Sequence, residues 1–208
     1  VANRSYLYAL NAVPALGVDP LTLEVTGLSE YAYDIPLAFK LLVSGNPRAC
    51  PSLVWDEGAA ILGEYGAGVQ RLEAFLARLE HPQAAEFTRP TLEFLRDPRN
   101  VRRFILLEPD ELFMMDDADP TVQLEALLQN LQHLEPEIED AVQRVRDAGS
   151  VRAQPTGWLG RLFKPAPVTE FDPTRALIEL GLGHWSNVLY FDFTAPDEMP
   201  DSSSPRNA

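Results

Sequence analysis

"DPTVQLEALLQNLQHLEPEIEDAVQRV", Asp119 to Val145, is the stretch whose reading decides the fold. Its opening Asp-Pro-Thr is a helix start. The carboxylate can accept from the free amides of the first turn, and the proline at the first helical position has its backbone angle preset and loses no needed donor. Beyond it, Leu124, Leu127, Leu131, Leu134, Ile138, Ala141 and Val145 recur at alternating spacings of three and four. That is a heptad seam of about three repeats, the lower edge of a coiled-coil signal. Pro136 lies inside it and removes one helical hydrogen bond, which predicts a kink or two helices in sequence. The seam therefore reads as a helical hairpin or kinked helix packed on the chain's own sheet, with self-association the lesser alternative.

The rest of the chain is placed around this pair. A second Asp-Pro-Thr, at Asp172, predicts another capped helix. Asp34 and Pro36 open a short one through Leu37, Leu41 and Leu42, stopped at Gly45 with Pro47 beyond. From Glu57 to Leu79, the residues Ile61, Tyr65, Val69, Leu72, Leu76 and Leu79 fall on one helical face, and His81-Pro82 ends it. A further helix covers about Pro82 to Arg96, with a break or kink at Pro90. Strands are predicted at Ser5–Leu10, Arg102–Pro109 and Asn187–Phe193, short runs rich in residues that favour the pleated state. The expected fold is α+β: a predominantly helical single domain over residues 1–194 with a small sheet of about three strands. A connector at 150–170 and a Pro-, Ser- and Asp-rich disordered tail at 195–208 complete it.

With 208 residues, 46% of them apolar, the chain can bury a sizeable core. No apolar run reaches the ~20 residues that span a bilayer, and the N-terminus lacks the features of a secretory signal, so a cytoplasmic protein is expected. The single cysteine, Cys50, allows no intramolecular disulfide and no cysteine zinc site. Fifteen arginines against two lysines suggest a high-GC bacterial genome, and Val1 fits a GTG start codon read literally.

Charge is polarised along the chain. Between Phe104 and Gln143 there are eleven acidic residues and no Lys or Arg, within a formal net charge of -14. Such a field repels nucleic-acid phosphates and attracts basic surfaces. Asp110, Glu111, Asp116, Asp117, Asp119, Glu135, Glu137, Glu139 and Asp140 are accordingly the candidate protein-contact residues. They are joined by Trp158, Leu162 and Phe163 of the apolar-basic stretch "GWLGRLFKPAP", which reads first as a flap over the chain's own core and second as an interface. The other reading of the carboxylates is a solvated helix surface that pairs in part with nearby arginines.

Catalytic and cofactor signatures are weak. "EPDELFMMDDADP" lacks the ligand spacing and turn glycine of a calcium loop, and none of His81, His133 and His184 has a zinc-ligand partner at helical spacing. "GEYGAG" (63–68) lies within helical periodicity with no strand before it, so it fails the context test for a phosphate loop. Arg48 could lower the Cys50 thiol pKa, but no base accompanies it. Neither a cofactor nor a metal is expected.

"ANRSYLYAL" (2–10) and "GLSEYAYDIPLAFKLLVSGNPRACPSLVWD" (27–56) resemble an uncharacterised bacterial protein family that begins Ala-Asn-Arg-Ser-Tyr-Leu-Tyr. The resemblance is best over roughly the first 55 residues. It brings no activity, cofactor or catalytic residue, and implies a bacterial cytosolic origin. The function expected is a non-enzymatic protein-binding module using an acidic surface, with a toxin-neutralising immunity protein as its specific version. The alternative is a small hydrolase-like enzyme assembled only in the fold from His184, Asp192 and carboxylates between Glu108 and Asp119.

Overall fold

The tyrosine-rich opening forms β1 (Arg4–Leu10), and its alternating side chains define two cores. Leu7 and Ala9 face one side of a sheet, Tyr6, Tyr8 and Leu10 the other, and all five are buried. The computed structural model describes residues 3–17, 20–149 and 172–193. The connector stretch with Trp158, Leu162 and Phe163, and the tail expected at 195–208, lie outside them.

The sheet has five strands, not three. β2 (Thr26–Ala32), β3 (Arg48–Pro51), β4 (Ala59–Glu64) and β5 (Phe104–Glu108) join β1 in the order β2-β1-β5-β4-β3. Every neighbouring pair is antiparallel. Helices α1 (Leu37–Val43), α2 (Tyr65–Leu76), α3 (Ala84–Arg96), α4 (Asp110–Phe113), α5 (Pro120–Asn130), α6 (Glu135–Gly149) and α7 (Pro173–Glu179), with a short 3-10 turn at Pro20–Leu23, complete the described elements. None is long and apolar enough to cross a membrane.

Two of the three missed strands, β4 and β2, were hidden for physical reasons. Ile61 stands four residues before Tyr65, so a helical face appeared to continue upstream across Ala59–Glu64. That segment instead pairs with β3 and β5 through a short apolar run of strand length. Hence "GEYGAG" does follow a strand and opens a helix, contrary to expectation, and two of its three glycines, Gly63 and Gly68, serve packing. A Cβ on Gly68 would lie 1.8 Å from the Leu42 carbonyl oxygen, and one on Gly63 2.3 Å from that of Val43. β2 is hidden because its buried face includes Ser29, whose hydroxyl donates to the His184 carbonyl.

Asn187–Phe193 alternates like a strand but does not pair as one. Among the described residues its strand-like pairing is limited to one isolated bridge just before it, Ser29 to Trp185. Hydrogen bonds from Asn187 to the Gly27 carbonyl and from the Tyr190 amide to Glu30 hold the segment at the outer edge of β2. Its apolar residues instead roof the second core: Phe191 meets Tyr6 edge-on at 5.4 Å between ring centroids, and Phe193 meets Tyr8 at 5.2 Å. Of the break or kink expected at Pro90, the break is absent. α3 is one helix with Pro90 inside it, and both Pro90 and Glu86, whose carbonyl loses its partner, are exposed to solvent.

The heptad seam resolves into two helices, α5 and α6, with Pro136 in the first turn of the second. All seven seam residues are buried in the core on the side of the sheet that carries Leu7, Ile61, Ile105 and Leu107. Asp119 caps α5 by accepting from the Thr121 amide at 2.8 Å, and Asp172 caps α7 through Thr174 at 2.9 Å. Asp119→Ala is expected to lower stability by about 1 kcal/mol in urea unfolding.

Candidate functional site

β5 ends at a carboxylate. Side chains alternate along it, so Ile105 and Leu107 point to the helical core while Phe104 and Leu106 join the aromatic core. By the same alternation Glu108 emerges on the aromatic side, where it is buried. Its Oε1 accepts the Leu53 amide and its Oε2 the Ser52 hydroxyl, both at 2.7 Å. The Ser52 oxygen in turn accepts the amides of Val54 and Trp55 at 3.0 Å. One buried carboxylate thus anchors the 52–55 loop. Burial pushes Glu108 up to about 7, against the two hydrogen bonds and with the help of Asp110.

Pro109 turns the chain into α4 and sets Asp110 beneath the next turn of the same loop. That turn closes where the Gly58 amide donates to the Trp55 carbonyl at 3.0 Å. Gly58 is required there, since a Cβ would lie 1.8 Å from Asp110 Oδ2. The Asp110 carboxylate accepts from the Ala59 backbone, and burial raises its pKa. Only 5% of Asp110 is exposed, and its Oδ2 is buried without a hydrogen-bond partner. Glu111 faces β1, accepting the Arg4 amide at 2.8 Å and the Tyr6 hydroxyl at 3.0 Å.

A groove of about 440 Å³ opens between this turn and the start of α5. Trp55, Met114, Pro120 and Leu124 give it apolar walls, and Asp56, Glu57 and Asp110 contribute three carboxylates. No Lys or Arg lines it. The acidic segment that supplies one wall also carries exposed apolar residues: Met114, which lines the groove, is 64%, Met115 54% and Val122 60% exposed.

The acidic run divides in two. On α6 the carboxylates are engaged within the chain. Glu135 and Glu139 grip Arg78 at 3.0 and 2.6 Å, Glu137 meets Lys40 at 2.9 Å, and Asp140 meets Arg144 at 2.9 Å. For Glu137, burial works upward, but hydrogen bonds from Asn130 and Lys40 outweigh it and lower the pKa. The pairing cations are not the upstream cluster Arg89–Arg103: Arg96 pairs with Glu73 and Arg99 with Asp97. Nearer the groove, Asp119 is spent as a cap, while Asp56, Glu57, Asp116, Asp117 and Glu125 are exposed and form no ion pair with a described residue.

The residues of the enzymatic alternative are spread over the sheet. His184 is exposed at the outer edge of β2, while Glu108 stands on β5, with β1 between the two strands. Asp192 is exposed and follows Phe191 in the roof of the aromatic core. Cys50 is buried, and burial pushes its thiol up to about 12, Glu108 adding to the effect and Arg48 opposing it without overcoming it. Arg48 stacks over Phe104 at 5.1 Å. Among the described residues, no three His, Cys, Asp or Glu side chains gather into a metal-holding group.

Sequence reasoning named Asp110 as a contact residue but neither Met114 nor Met115, and it missed the opposite wall, Trp55 to Ala59. The legible signal there was Gly58 following Asp56-Glu57, a turn between two runs of strand length.

No curated protein and no solved structure matches the chain. A family model does match over residues 11–148, from the end of β1 almost to the end of α6, which takes in both walls of the groove. The chain belongs to that family, a domain of unknown function (DUF7822).

Proposed function

We propose that this protein is a non-enzymatic, protein-binding module of the bacterial cytoplasm, whose partner presents a basic surface to the segment between Asp110 and Glu125. The observation that carries this reading is the division of the acidic run. Carboxylates on α6 are neutralised by Arg78, Lys40 and Arg144, whereas those around Met114, Met115 and Val122 stay unpaired among the described residues. Uncompensated charge beside adaptable, exposed methionines suits recognition of a cationic, partly apolar surface. Lone surface carboxylates also keep proteins soluble, but they do not need exposed apolar neighbours for that.

The specific form of the proposal is a toxin-neutralising immunity protein, in which the acidic segment covers the cationic site of a nuclease or other basic toxin. Capture of partners from the native cytosol at low and high salt tests both levels. A basic protein retained only at low salt supports the module. Relief of that protein's toxicity on co-expression supports the immunity role. Absence of any salt-sensitive basic partner rejects the reading.

A further inference from the structure

We propose that Glu108 and Asp110 form a proton-operated latch on the loop 52–58 between β3 and β4: the loop is held while Glu108 carries a proton and opens to water once Glu108 is ionised. The geometry lies in how the loop is fastened. Its internal bonds, from the Val54 and Trp55 amides to Ser52 Oγ and from the Gly58 amide to the Trp55 carbonyl, travel with it. Beyond the β3–β4 pairing, the hydrogen bonds that tie it to the rest of the described protein run from the Leu53 amide and the Ser52 hydroxyl to Glu108. Asp110 secures the far end by accepting from the Ala59 backbone. Trp55 adds one edge-on ring contact to Phe191, at 5.7 Å. Ser52 to Trp55 are only half-buried, and Asp56 and Glu57 are exposed, so the loop can move without opening the sheet.

The two carboxylates depend on that loop in turn. Glu108 is 1% exposed and Asp110 5%, and neither is ion-paired with a described Lys or Arg. Leu53 and Val54 pack against the aromatic core on the side where Glu108 emerges, so the held loop covers it. The titratable groups around the pair do not offset its charge. β1 turns Tyr6 and Tyr8 to this side and β3 turns Cys50, all kept uncharged at neutral pH by burial. α4 adds Glu111, and the roof of the core adds Asp192. The start of α5 brings Pro120, Thr121 and Leu124, none of them titratable. Of the cations on these strands, Arg4 meets Glu30 and Arg48 lies over Phe104. Ionised Glu108 is therefore a second buried anion without a cation, and its two hydrogen bonds weigh less than the water it has lost. The proton leaves near pH 7 while the loop is held, against an ordinary value of 4.5 once it is open. The held loop is fully favoured below 4.5, and each pH unit from there to 7 favours the open one by up to about tenfold.

Amide hydrogen exchange of the full chain, followed by NMR and expressed as protection relative to an unstructured chain, tests the latch without any substitution. Protection of the Leu53, Val54 and Trp55 amides is expected to fall by about tenfold or more between pH 5 and 8. The Glu108 side-chain carboxyl carbon should titrate with the same midpoint, near 7. Low urea should leave the loop exchange unchanged, because the opening is local, while it speeds exchange of the Leu107 amide at the centre of the sheet. Glu108→Gln should hold the loop amides at one level of protection over the whole range. The latch is overturned if Glu108 titrates near 4.5, if loop protection does not change with pH, or if Glu108→Gln keeps the wild-type pH dependence. It is equally overturned if the loop amides share the urea dependence of Leu107, since Glu108 then meets water only on global unfolding.

Discussion

Gly68→Ala is expected to destabilise the protein by about 3 kcal/mol or more, although alanine is the better helix former. Gly68 sits in α2 where that helix crosses α1, and an added methyl carbon would lie 1.8 Å from the Leu42 carbonyl oxygen. The obstacle is backbone, so no rotamer change relieves it. The helices must part, and the buried contacts of Phe39, Leu42, Leu72 and Phe75 go with them. Gly66, two residues earlier on the same helix, meets nothing within 4 Å. Gly66→Ala should therefore stabilise by up to about 1 kcal/mol through helix propensity alone. Urea unfolding of the two variants side by side reads opposite signs from the same substitution. A stable Gly68→Ala variant would contradict the described crossing of α1 and α2.

Glu108→Gln is expected to remove a pH dependence worth about 3 kcal/mol. Folded Glu108 titrates near 7, against an ordinary value of 4.5. Below 4.5 both the folded and unfolded chains hold the proton, and the stability linked to it is fully present. Between 4.5 and 7 the folded chain keeps a proton that the unfolded chain has released, so stability falls as pH rises. Above 7 the contribution is gone. Glutamine has the shape of the protonated form and can still accept the Leu53 amide, so the variant should gain on wild type from pH 4.5 to pH 8. Asp97, held near 2 chiefly by its hydrogen bonds to Arg99, and Glu137, also lowered, drive stability the other way. Both are present in both proteins, so they cancel in the difference, which reports Glu108 together with its coupling to Asp110. Parallel pH profiles would mean that Glu108 is not buried as described.

Much of the helical layer was legible in the sequence because it is local. The caps Asp119 and Asp172 sit beside prolines, and the seam from Leu124 to Val145 keeps its period across the Pro136 break. The sheet was less legible because its evidence is long-range. Ile61 fits a helical period and a strand equally well, and what decides is its pairing with Leu107, far along the chain. Phe191 and Phe193 alternate as strand residues do, but the tyrosines of β1 needed a cover more than β2 needed a partner. The acidic run was visible as composition. Its division was not, because the cations that neutralise Glu135, Glu137 and Glu139 are Arg78 and Lys40, brought in from α1 and the end of α2 by packing. Burial separates Asp110 from Asp116 within one acidic stretch, and no local pattern encodes that.

The central claim is that the unpaired carboxylates near the groove, and not the paired ones on α6, hold the basic partner. Dissociation constants of the captured partner should be compared for two variants: Asp116→Asn/Asp117→Asn/Glu125→Gln, and Glu135→Gln/Glu139→Gln. The first should lose about tenfold or more in affinity together with part of its salt dependence, while the second stays near wild type. Equal affinities in both variants, or a loss confined to the α6 pair, would contradict the account.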